Sequence, residues 1–167
     1  MRRLWMIFVF CFLQWTVASF VMAADKPDFS GTYTLTGSKG GFKIKKGDSW
    51  TLQVDQTEAA VKVTIVQDGN RTSNQFLLNG AETIYVSPGG VKGTSKSQLK
   101  GKSLIVDTLV ESHPTPDGPA VQLHTREQWA LSSNSKTLTI QSQVDSPTFP
   151  LGGFQVIEPW SEIYTRN

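Results

Sequence analysis

Trp50-Thr51-Leu52-Gln53-Val54-Asp55, followed closely by Val61-Lys62-Val63-Thr64-Ile65, is the stretch that decides the fold. In both runs apolar residues occupy every second position and polar ones fill the gaps. A period of two throws each apolar set onto one face of a β-strand. Asp68-Gly69-Asn70 comes next, and Gly and Asn tolerate the positive φ that a tight turn demands. Arg71 to Leu78 then reads as the returning strand.

The same grammar extends outward in both directions. Phe29 to Leu35 precedes the pair as a first strand. Asn79-Gly80 is a strong hairpin signal, leading into Glu82 to Val86. Pro88-Gly89-Gly90 and Lys100-Gly101-Lys102 flank a polar strand, Val91 to Leu99, and Leu104 to Val110 follows. His113 to Pro119 holds three prolines and a glycine, which makes it a loop. Val121 to Leu131, Thr137 to Val144, Phe154 to Ile157 and Trp160 to Tyr164 complete the series. No stretch sustains a 3.6-residue period, so at most one short helical turn is expected, after Thr36.

Short strands joined in order by turns predict an all-β domain, a single antiparallel up-and-down β-barrel of about 8–10 strands. An open sheet of that size would leave two exposed edges, and closure removes them. A two-sheet β-sandwich is the alternative.

Residues 1–24 stand outside this pattern. Arg2 and Arg3 precede an almost wholly apolar run, Leu4 to Phe20, and small residues Ala23 and Ala24 follow just before Asp25. Positive start, apolar middle and small-residue exit describe a signal peptide, cleaved after Ala23 or Ala24. The rival reading is an uncleaved anchor, since the run approaches the ~18 residues at which a span begins. Gln14 and Ser19 interrupt it, and the exit favours cleavage. The expectation is an exported protein, secreted or periplasmic, with a domain over 25–167 and membrane contact only through the leader before cleavage.

Cleavage changes the chemistry. The chain carries 16 basic and 14 acidic residues, and Arg2 and Arg3 leave with the leader, so the mature charge is zero. No strong basic field remains for nucleic acid. Cys11, the sole cysteine, leaves as well, so no disulfide forms.

Three stretches carry a family likeness. Asp28-Phe29-Ser30-Gly31-Thr32-Tyr33-Thr34-Leu35 resembles the first strand of lipocalins and fatty-acid-binding proteins, the calycin group, whose opening motif is an aromatic followed by Gly-x-Trp. Tyr33 stands at the Trp position. Ile163-Tyr164-Thr165-Arg166 is similar to the last strand of the fatty-acid-binding type. Gln128 to Ser132, followed by Lys136 to Ile140, resembles a lipocalin-like domain of secreted bacterial proteins. The likeness implies a ligand-holding barrel, with Arg166 packed over Tyr33 at its base. Two departures stand out. The fatty-acid-binding type places two helices after its first strand, and Thr36 to Trp50 is too short for them. That type also grips the ligand carboxylate with Arg-x-Tyr, where this chain has Glu162-Ile163-Tyr164; Glu162 would repel a carboxylate.

Other chemistries find little footing. Catalytic residues are not expected: no Gly-x-Ser-x-Gly occurs, and the mature chain has no cysteine. Asp107 and Glu111 could share a strand face but read as solvated charges. No metal and no cofactor is expected, because His113 and His124 are the only histidines and His124 and Glu127 fall on opposite strand faces. Asn70-Arg71-Thr72 is a glycosylation sequon.

The expected function is therefore binding of a small hydrophobic molecule inside the barrel. Trp50, Leu52, Tyr85, Trp129 and Trp160 are the candidate wall residues, since interior aromatics line such pockets. The alternative is a ligand-free interaction module, an envelope scaffold or inhibitor, presenting the rigid loop His113 to Pro119. No motif specifies an oligomeric state.

Overall fold

The computed structural model describes residues 26–40, 49–112, 121–145 and 158–167. Ten strands account for most of them: β1 (Gly31–Gly40), β2 (Trp50–Gln56), β3 (Ala60–Gln67), β4 (Asn70–Leu77), β5 (Thr83–Val86), β6 (Lys92–Lys100), β7 (Ser103–Ser112), β8 (Val121–Leu131), β9 (Thr137–Asp145) and β10 (Trp160–Arg166). No helix occurs among the described residues. Every paired neighbour is antiparallel, and all ten strands belong to one sheet in the order β4-β3-β2-β1-β10-β9-β8-β7-β6-β5. A single sheet excludes the sandwich. First and last strands pair directly, with Tyr33 opposite Arg166.

Alternation survives into three dimensions. Leu52 and Val54 of β2, Val61 and Val63 of β3, Leu104 and Val106 of β7, and Leu138 and Ile140 of β9 are all buried. They form one apolar cluster with Phe29, Tyr33, Phe76, Trp129 and Tyr164. The outer face carries charges such as Asp107, whose Oδ1 lies 3.5 Å from Arg126 Nε and 3.7 Å from His124 Nε2. Exposed pairs of this kind add about 0–1 kcal/mol. The β3–β4 turn uses Asp68 (φ 48°) and Gly69 (φ 86°), the paired positive φ of a two-residue hairpin.

From Thr36 to Gly40 the chain is strand, within the expectation of at most one short helical turn. β1 absorbs an irregularity between Leu35 and Gly37 and continues to Gly40, held by pairing with Ile163, Glu162, Ser161 and Trp160 of β10. Residues 41–48 lie outside the described residues. The Phe154–Ile157 strand and the His113–Pro119 loop also lie outside them.

One local expectation fails for a long-range reason, at Asn79-Gly80. The turn forms, with Gly80 at φ 79° and Asn79 Oδ1 accepting from Ala81 N at 3.0 Å. It does not make a ladder between β4 and β5. Instead Asn79 bridges Gln98 of β6, and Gly80 N donates to Ser97 O at 3.0 Å. β4 and β5 lie side by side as the two ends of the sheet, and one side chain spans the seam. Asn74 Nδ2 donates to Val86 O at 2.9 Å, and Val86 N donates to Asn74 Oδ1 at 2.7 Å. A buried amide thus replaces a pair of ladder bonds. Asn74→Leu removes both partners of the Val86 backbone. It should cost about 2–4 kcal/mol from two unsatisfied polar groups, read as a lower urea midpoint at unchanged slope. A loss below 0.5 kcal/mol would show that the seam does not depend on the clasp.

Candidate functional site

One end of the barrel is solid. Phe29, Tyr33, Val54, Val61, Leu104 and Leu138 are almost wholly buried there. Tyr33 hydroxyl donates to Phe29 O at 2.9 Å and accepts from an Arg166 Nη at 2.6 Å, and the Arg166 guanidinium carbon lies 5.1 Å from the Tyr33 ring centre. Gly31, at φ 146°, lets Arg166 approach, since a Cβ there would sit 3.0 Å from its Nε. Gln56 ties the preceding segment down: its Oε1 accepts from Phe29 N at 2.9 Å and its Nε2 donates to Pro27 O at 2.8 Å. The base is a plug.

The other end is hollow. A cavity of about 410 Å³ is bounded by Trp50, Leu52, Val63, Ile65, Phe76, Tyr85, Leu123, Trp129, Ile140 and Trp160, with Asn74, Thr108, Thr125, Glu127, Glu162 and Tyr164 as polar members. All five residues expected from the sequence to form a wall, Trp50, Leu52, Tyr85, Trp129 and Trp160, lie on it. Strand parity places them: each sits two or four positions from another inward residue of its own strand. Phe76 of β4 and Trp129 of β8 meet edge-on, centroids 6.3 Å apart at 75°, and brace the interior.

The polar members form a pattern that the sequence reading did not assemble. Glu127 and Trp129 are two apart on β8, and Trp160 and Glu162 are two apart on β10. β9 lies between them. One row across the three strands runs Glu127, Ser142, Trp160; the next runs Trp129, Ile140, Glu162. Glutamate and tryptophan therefore alternate at the corners of one patch. Trp129 Nε1 donates to Glu127 Oε2 at 2.8 Å, and Trp160 Nε1 donates to Glu162 Oε1 at 3.3 Å. Tyr164 hydroxyl donates to Glu162 Oε2 at 2.6 Å.

Placing carboxylates in an apolar interior shifts the equilibria around them. Burial pushes the Glu127 carboxyl up to about 7; the Trp129 hydrogen bond opposes the rise, and the Glu162 charge adds to it. Some of Glu127's surface still opens on the cavity. Burial and the two glutamates push the Tyr85 phenol up to about 12. The Tyr164 phenol is raised by burial first and then by Glu162, so it stays a donor. Glu127 was detectable in principle, because it shares parity with Trp129. Among the described residues no group of three His, Cys, Asp or Glu side chains could hold a metal.

Solved structures share the fold of this ten-stranded up-and-down barrel. The "REP1-NXSQ fatty acid transporter" superposes with a TM-score of 0.57 over 84% of this chain and 96% of its own, at 14% identity. Lipid binding protein 8 of Caenorhabditis elegans gives 0.56 over 83% and 95%, at 9% identity. Fatty-acid-binding protein 1 of Echinococcus granulosus gives 0.57 over 83% and 96%, at 16% identity. At these identities the likeness is one of fold. No protein-family model matches the chain, and no curated protein matches its sequence.

Proposed function

We propose that this is an exported binding protein that holds a small apolar ligand in the hollow end of its barrel. The observation that carries this reading is the cavity itself. At about 410 Å³ it falls within the range of small-molecule sites, roughly 300–1,000 Å³. Its wall is mainly aromatic and aliphatic, with a few convergent polar groups, which is the usual composition of a ligand pocket. The neutral dye Nile red tests the reading. A blue-shifted emission saturating at one dye per chain is expected, and Trp50→Ala should weaken it about tenfold by removing a large contact face. No uptake of the dye by folded protein would overturn the proposal.

Export rests on the leader. Protein recovered from the periplasm or the medium of its source should begin at Ala24 or Asp25 by intact mass. Recovery of an intact leader in a soluble cytoplasmic fraction would sink that half of the reading.

A further inference from the structure

We propose that the cavity selects an apolar molecule carrying a protonated amine, whose N–H groups Glu127 and Glu162 accept. The inference rests on the cavity being a binding site, and it names the ligand's head group. Among the described residues lining the cavity, these two glutamates carry the only formal charges; none is Lys, Arg or His. The patch is therefore anionic and set in an apolar wall. A carboxylate ligand would meet like charge in a low-dielectric space, which offsets part of what its hydrocarbon contacts return.

The acceptors retain capacity. A carboxylate offers about four acceptor positions. The described donors are one indole N–H on Glu127, and one indole N–H with one phenol O–H on Glu162. These bonds aim and hold both carboxylates without neutralising either. An ammonium supplies the missing charge together with two or three short donors. Trp129 and Trp160 alternate with the glutamates, so the cation also meets aromatic surface.

Four titratable groups face the head-group position: Glu127 from β8, Glu162 and Tyr164 from β10, and Tyr85 from β5. With Glu127 raised to about 7, part of the population carries a proton there at neutral pH. A bound cation favours the ionised form and expels that proton.

Decylamine, decanol and decanoate, each below micelle formation, share one tail and differ in the head group. Competition against Nile red at pH 7 should rank them in that order, decylamine at least tenfold tighter than decanol and decanoate weakest. Calorimetry of decylamine in two buffers of different ionisation enthalpy should show net proton release. In Glu127→Gln/Glu162→Gln, with the fold checked by circular dichroism, the amine-to-alcohol preference should fall to within threefold of unity. Decanoate equal to or tighter than decylamine would overturn the inference. So would an amine preference that survives the double substitution. If decanol and Nile red bind without any amine preference, only the head-group inference falls; if nothing binds, the binding-site reading falls with it.

Discussion

Glu127→Gln should make the protein more stable at pH 8 and leave it nearly unchanged at pH 4. The carboxyl has an ordinary value of 4.5 and is held at about 7 in the folded chain, chiefly by burial. Below 4.5 both states carry the proton, and it contributes no difference. Between 4.5 and 7 the folded state keeps a proton that the unfolded chain has lost, so stability falls as pH rises. Above 7 the full cost of a buried negative charge is present, roughly 2 kcal/mol once solvent reaching the cavity is allowed for. Glutamine keeps an oxygen for Trp129 Nε1 and removes the charge. Urea midpoints for both proteins from pH 4 to pH 8 give the difference directly. The two curves should converge in acid and separate by roughly 2 kcal/mol in base. Parallel curves would show that Glu127 is not held protonated by the fold. A protein that retains a destabilising carboxylate in its interior is one whose interior has a use for it.

What the residues disclosed in advance follows from how local each feature is. The alternation at Trp50, Leu52 and Val54 is a property of neighbours along one strand, so parity alone sends those side chains inward. The same parity puts Glu127 beside Trp129, yet a charge reads as an outward residue when composition is weighed ahead of position. Asn79-Gly80 shows the opposite case. Its turn chemistry is real, but pairing across it depends on where β6 and β7 lie, and β6 captures Asn79 instead. The Asn74 clasp joins residues twelve apart across a seam that no local rule marks. The solid base was legible as a likeness, through Phe29, Tyr33 and Arg166. The hollow end was not, because a void depends on side-chain volumes summed over eight or more strands at one level of the barrel.

Tyr33→Phe is expected to lower stability by about 2–3 kcal/mol while sparing the cavity. The lost hydroxyl serves two partners at once: it donates to Phe29 O and accepts from Arg166. Phenylalanine fills the same space, so no void opens and the cost is the buried carbonyl and guanidinium left short of a partner. Arg166 Nε is already buried without a hydrogen bond, and besides Tyr33 the guanidinium has only a long contact to Asp28 O at 3.5 Å among the described residues. Arg166→Ala should cost a similar amount, through lost cover over the ring as well as lost charge. Because both substitutions break one contact, the double variant should lose less than the sum of the two, by about 1–2 kcal/mol. Strict additivity within 0.3 kcal/mol would mean the pair does not act as a unit. Neither residue bounds the cavity. Nile red affinity, measured well below the unfolding transition, should therefore stay within twofold of the parent in every member of the cycle. A barrel sealed at its base by Tyr33 and Arg166 can devote its opposite end, Glu127 and Glu162 included, to a ligand, and the cycle tests that division of labour.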